Sequence, residues 1–160
     1  MHPPFAADET GLIIVDHGSR RGESNELLVA VAEAYRRHSG WRIVEPAHME
    51  LAEPSIATAF SRCVEQGATL VVVFPYFLGP GRHWSGDIPR LAAEAASPYA
   101  GRGVRYLVTA PLGLHPMLLE VIDQRVAHCL ERVQGRAEAC DVCEAGGGCS
   151  PLPPLASAGE

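Results

Sequence analysis

The sequence has no long apolar run. Runs such as residues 12–15 and 70–74 fall far short of the roughly 20 residues that cross a bilayer as a helix. No basic excess is present either. Thirteen Lys and Arg stand against nineteen Asp and Glu, the formal net charge is −6 and the pI is near 5.6, so the chain lacks the basic stripe of a general nucleic-acid binder. Small anionic ligands are not excluded, because a few arginines dominate a local pocket. Residues 1–10 include Asp8 and Glu9 and no apolar core segment, so they do not read as a secretory signal, and the expected location is the cytoplasm. There is no internal repeat. Five cysteines, three of them bunched towards the C-terminus, do not form a disulfide framework; they suit a metal or cluster site in a reducing compartment.

What is present is ordinary globular material: 160 residues, 47% hydrophobic and 20% charged, enough for one domain with a real core. The run Leu12-Ile-Ile-Val-Asp16 reads as a buried parallel strand. A helix follows, capped by Ser24 or Asn25, with Leu27, Leu28, Val31, Ala32 and Tyr35 at helical spacing, and Gly40 ends it. Residues 41–49 are a second strand candidate, its regular part limited by Pro46. Glu53-Pro54-Ser55 opens a helix with Ile56, Phe60, Cys63 and Val64 on one face, proline suiting a first turn. Residues 69–74 are the clearest strand, and 75–86 a long loop rich in glycine and proline. A helix from about 89 to 96, a strand over 104–109, and a helix beginning at His115 or Pro116 complete the pattern. The last helix carries Leu118, Val121, Ile122, Val126, Cys129, Leu130 and Val133 as its stripe. From Gly135 the pattern stops.

The expected architecture is therefore α/β, with a four-stranded parallel sheet, right-handed crossovers and helices on both faces. The expected division is a domain over 11–134 and a Cys-containing, Gly- and Pro-rich tail over 135–160. In such folds ligands bind at the carboxyl ends of the strands. His17 follows the first strand, His48 and Glu50 sit near the end of the second, and His83 follows the third, so groups suited to metal and proton chemistry gather along one sheet edge.

Neutral imidazole is a common ligand for borderline divalent metals, and His17 stands beside Gly18, which permits close approach. Two histidines on adjacent strand ends can face each other across a cleft; the bland alternative is two unrelated loop histidines. Glu50 is the candidate carboxylate, while Glu53 and Asp87 read as helix-terminus residues. Arg20, Arg21 and Arg82 flank the histidines, where a guanidinium grips a carboxylate through two hydrogen bonds.

Residues 12–20 (Leu-Ile-Ile-Val-Asp-His-Gly-Ser-Arg), 50–56 (Glu-Leu-Ala-Glu-Pro-Ser-Ile), 73–83 (Val-Phe-Pro-Tyr-Phe-Leu-Gly-Pro-Gly-Arg-His), Asp87-Ile-Pro89 and Ala110-Pro-Leu-Gly113 together resemble the short CbiX/SirB-type sirohydrochlorin chelatases, class II tetrapyrrole chelatases. The likeness runs over about residues 11–133. It implies a lyase that inserts a divalent metal, Co2+ or Fe2+, into sirohydrochlorin in cobalamin or sirohaem biosynthesis, with His17 and His83 handling the metal. It further implies Glu50 as an acidic helper, Ser19, Arg20 and Arg82 against the substrate, and a homodimer. Insertion displaces two pyrrole protons, so the site must hold a metal without enclosing it and offer a base; a carboxylate-rich ring suits rim arginines.

The tail departs from the minimal family pattern. Cys140-Asp-Val-Cys143 with Cys149 suits an iron–sulfur cluster, as in some family members, although a cluster usually takes four thiolates; zinc or a redox thiol set are the alternatives. Cys63 and Cys129 read as core. Three other functions fit less of the chain. One is a nickel-tetrapyrrole chelatase. The second is a non-enzymatic metal or iron–sulfur carrier working through the tail, which leaves the His17/Glu50/His83 edge unexplained. The third is a histidine phosphatase, which places arginine immediately before its histidine, where this chain has Asp16.

Overall fold

In the computed structural model, which describes residues 8–144, the elements alternate as the spacing predicts. Strands β1 (Thr10–Asp16), β2 (Ile43–His48), β3 (Leu70–Pro75) and β4 (Arg105–Val108) form one parallel sheet in the order β2-β1-β3-β4. Helices α1 (Gly22–Ser39), α2 (Ile56–Glu65) and α3 (Ile88–Ala96) connect them, and α4 (Pro116–Val133) and α5 (Asp141–Glu144) follow. The contacts divide the chain into two compact units after Gly113, which are described separately.

In the first unit helices lie on both faces of the sheet, as the side-chain alternation of a strand requires when both faces are covered. Ile13, Val15, Ile43, Val71 and Val73 turn to one side and pack with Phe60 and Cys63 of α2 and Ile88 and Ala92 of α3. Leu12, Ile14 and Val44 turn to the other and meet Leu28 and Ala32 of α1. A Cβ on Gly11 would lie 2.9 Å from the Cys63 side chain, so glycine at the strand's start lets α2 sit close.

Several boundaries differ from the sequence reading. Pro46 lies inside β2, which is tolerable because β2 is an edge strand, free of a ladder bond on one side. Helix α2 starts at Ile56, not at Pro54: Ser55 is its cap and its hydroxyl accepts the Thr58 N–H, a better N-terminus than proline supplies. Helix α1 starts at Gly22, before the expected caps Ser24 and Asn25. Asn25 instead ties the preceding loop, accepting from Ser19 N–H at 2.9 Å and donating to the Ser19 carbonyl at 2.8 Å. Leu27, expected on the buried stripe of α1, is exposed. The end of the expected 75–86 loop is a π-helical turn, His83–Asp87, leading into α3.

Helix α1 lies over β1 and β2 and leaves the β3–β4 part of that face open. A groove of about 400 Å3 remains there, lined among others by Tyr35, Trp41, Val72, Phe74 and Leu112.

In the second unit α4 begins at Pro116 with His115 as its cap, whose ring accepts the Met117 N–H. No residue of α4 is buried: Leu119, Ile122, Val126 and Leu130 are all exposed, and Cys129, expected in the core, is only half-buried. Helical spacing makes the stripe; burial needs a facing surface. Arg125 pairs with Asp141, joining α5 to α4. No described helix is long and apolar enough to cross a membrane.

Candidate functional site

The sheet order reverses direction at β1, with β2 on one side and β3 on the other. At such a switch point the connections leave in opposite directions and open a crevice at the strand ends. His17 follows β1 and His83 follows β3, and their rings meet edge to face with centroids 5.2 Å apart. Glu50 arrives from the end of β2, and its Oε1 lies 2.9 Å from His17 Nε2. The three candidate residues are thus brought together, all partly open to solvent: side-chain exposure is 43% for His17, 53% for Glu50 and 45% for His83.

The local backbone explains the meeting. Beyond the last β1–β2 pair the ladder continues for two bonds, Met49 N–H to the Asp16 carbonyl at 2.8 Å and Glu50 N–H to the His17 carbonyl at 3.1 Å. Gly18 adopts φ +85°, and a Cβ there would stand 2.0 Å from the Glu50 carbonyl oxygen. Only glycine fits this turn, on both dihedral and steric grounds. Leu51 follows with φ +67°, and the Ala52 N–H closes back on the Glu50 carbonyl at 2.9 Å. A non-glycine residue there stores strain beside the site.

Beneath His17 lies a pair that the sequence reading did not use. His48 is buried, and its Nδ1 lies 2.6 Å from Asp16 Oδ1, which also accepts the Gly18 N–H at 2.9 Å. The sequence signal for it was a carboxylate and an imidazole at the ends of two neighbouring apolar strands. Asp87, expected as a helix cap, makes no capping hydrogen bond. Its Oδ2 lies 2.8 Å from His83 Nδ1; both residues are in the same helical turn, four apart, so the carboxylate meets the ring instead of the backbone. Glu53 does behave as a helix-terminus residue: the Ser55 N–H and Thr58 hydroxyl donate to it, and those bonds hold its carboxyl below the usual range.

The remaining candidates lie around this centre. Ser19 is half-buried, and its hydroxyl accepts the Arg21 N–H at 3.0 Å. Arg20 and Arg82 are exposed, and no described residue pairs with either guanidinium. In the second unit the sulfurs of Cys140 and Cys143 are 3.6 Å apart, and Cys149 lies outside the described residues. Cys63 is buried in the core, where burial pushes its thiol up to about 12; it is not a ligand candidate.

An imidazole pair with a carboxylate on one of them can hold a divalent cation at an open edge and take up protons there. The chain is 57% identical over 136 residues to the sirohydrochlorin ferrochelatase, chloroplastic, of Arabidopsis thaliana, covering 85% of this chain and 60% of that protein. It superposes on the sirohydrochlorin chelatase SirB of Bacillus subtilis subspecies spizizenii, solved in complex with cobalt, with TM-score 0.69 at 32% identity, over 74% of this chain and 50% of that one. On a cobalamin-biosynthesis CbiX protein from Marinobacter aquaeolei the TM-score is 0.65 at 32% identity, over 77% of this chain and 98% of that one. The chain thus spans less than two thirds of the plant relative's length. The CbiX family model matches residues 11–129, which contain every residue of the His17–Glu50–His83 centre, and the chain belongs to the CbiX family.

Proposed function

We propose that the chain is a chelatase that inserts Co2+ or Fe2+ into sirohydrochlorin. The observation that carries this reading is the approach of His17 and His83 to a ring separation of 5.2 Å across the switch-point crevice, with Glu50 2.9 Å from His17. The relatives' names supply the substrate: a sirohydrochlorin ferrochelatase in the plant protein and a sirohydrochlorin chelatase bound to cobalt in the bacterial one.

The reaction exchanges one M2+ for two pyrrole N–H protons. His17 and His83 hold the cation by ring nitrogens, leaving its other positions for the macrocycle. The two pyrrole protons leave at this open edge, where Glu50, 2.9 Å from His17 Nε2, accepts one and solvent takes the other. Arg20 and Arg82, unpaired among the described residues, bind the ring's carboxylates, and Ser19 shapes the loop beside them. His17→Ala and His83→Ala should each lower insertion, followed by the absorbance of sirohydrochlorin, by at least about a hundredfold with unchanged folding. Full activity in both would overturn the assignment. A side-by-side assay with Co2+, Fe2+ and Ni2+ selects the metal, and with it cobalamin, sirohaem or nickel-tetrapyrrole synthesis.

A homodimer belongs to this reading. The exposed stripe of α4 and the groove over β3 and β4 are each apolar, and a second copy gives such surfaces a partner. Light scattering on the purified protein tests it. The acidic charge supports no nucleic-acid partner, and a cytoplasmic location is tested by fractionation, with the plastid, printed in the plant relative's name, as the other outcome.

For the tail, Cys140 and Cys143 fit two ligands of one centre, their sulfurs being 3.6 Å apart on one short turn. An iron–sulfur cluster completed by Cys149 and a further ligand is the reading we favour; it would carry electrons rather than the inserted metal. Anaerobic protein should then contain iron and sulfide, and Cys140→Ser and Cys143→Ser should lose both. Zinc alone, or no metal, would reject the cluster.

A further inference from the structure

We infer that Asp87 is a positioning residue that fixes which nitrogen of His83 meets the metal. This rests on the reading of His83 as a metal ligand. Asp87 is the first residue before α3, where a carboxylate commonly caps the helix, yet it makes no capping bond and its backbone is already helical. Its Oδ2 is instead 2.8 Å from His83 Nδ1. A carboxylate oxygen at that distance favours the tautomer with the hydrogen on Nδ1 and the lone pair on Nε2. The ring has one nitrogen left for a cation, and its plane is set by the pair.

The turn that holds both residues is unusual, and its geometry brings them together. Residues 83–87 form a π-helical turn, closed by the Ile88 N–H on the His83 carbonyl, and such wide turns recur at functional sites. It is anchored at both sides. Ile88 is fully buried in the core beneath α3, and the Trp84 indole donates to the Thr109 carbonyl, just beyond β4, at 2.8 Å. The carboxylate and the ring are therefore carried by one anchored turn, although both side chains stay open to solvent. The partner histidine is held differently: the carboxylate facing His17 lies on Nε2 and comes from another strand end. Of the two imidazoles, His83 is the one whose Nε2 has no protein partner among the described residues, Asp87 lying on its other nitrogen. A carboxylate on the far nitrogen of a ligating histidine fixes its tautomer and makes it a better donor, and losing such a partner typically weakens metal binding by about 10–100-fold.

The test compares Asp87→Ala, Asp87→Asn and His83→Ala in the full chain. Co2+ affinity is read by calorimetry without tetrapyrrole, and KM for Co2+ and for sirohydrochlorin is read in the insertion assay. The expected result is a loss of Co2+ affinity of about tenfold or more in Asp87→Ala. Its KM for Co2+ should rise alike, with an unchanged KM for sirohydrochlorin and an unchanged melting temperature. Asp87→Asn, which keeps an acceptor oxygen but no charge, should fall between. Co2+ affinity within about twofold of the parent in Asp87→Ala, with His83→Ala inactive, would overturn this inference alone. Parent-like behaviour in both would overturn it together with the metal-site reading. Equal losses in both KM values with a lowered melting temperature would show a general structural role and reject it as well.

Discussion

Asp16 and His48 meet side chain to side chain at 2.6 Å across the paired ends of β1 and β2, with His48 almost wholly buried at 1% exposure. The same carboxylate oxygen receives the Gly18 N–H, so one clasp grips the chain on either side of His17. The strand end that carries His17 is thus held by a polar pair of which His48 is buried and Asp16 only a quarter exposed.

Removing His48 should therefore cost both stability and activity. His48→Ala leaves the Asp16 carboxylate without its buried partner and a cavity at the end of β2. A loss of about 3 kcal/mol is expected in urea unfolding, by analogy with broken buried pairs. Insertion should fall further than the folded fraction explains, because the Gly18 turn loosens. A variant as stable as the parent would show that the clasp is incidental.

Gly18→Ala tests the turn itself. The left-handed φ of +85° and the 2.0 Å approach of the Glu50 carbonyl to the new Cβ leave no room to relax without separating the two strand ends. Destabilisation of about 2 kcal/mol or more is expected, together with loss of the His17–Glu50 contact and most insertion activity. By contrast Gly22→Ala, where a Cβ meets nothing within 4 Å, should change little.

The cysteines should separate by reactivity. The Cys63 thiol, buried in the core and pushed up to about 12, stays neutral throughout the physiological range, and the thiolate is the reactive form. Brief alkylation of the native, metal-free protein at pH 8, read by peptide mass, should modify Cys140 and Cys143 and spare Cys63. Cys63 should react only in denaturant. Labelling of native Cys63 at the rate of the tail cysteines would contradict its placement.

How far the sequence alone reached is clearest from particular elements. The apolar runs of β1 and β3 lie in the sheet within a residue or two of their expected bounds. Such runs admit burial on both faces and little else. His17, Glu50 and His83 were placed at strand ends by chain order, and the resemblance named their chemistry. The expected Asp87 cap and the expected core role of Cys129 failed for a shared reason. Capping residues and apolar stripes are local signals, whereas the partner a side chain finally meets is supplied by the three-dimensional arrangement.

By itself the sequence determined where most strands and helices fall and that residue types suited to metal and proton chemistry stand at the strand ends, since periodicity and residue type are local properties. Only the tertiary structure decided that β1 and β3 are neighbours at the switch point, which is what brings His17 to His83. It alone showed Asp16 bound to His48 and Asp87 to His83. These pairings depend on register and on the width of one helical turn, where a shift of a single residue would turn each side chain away from its partner.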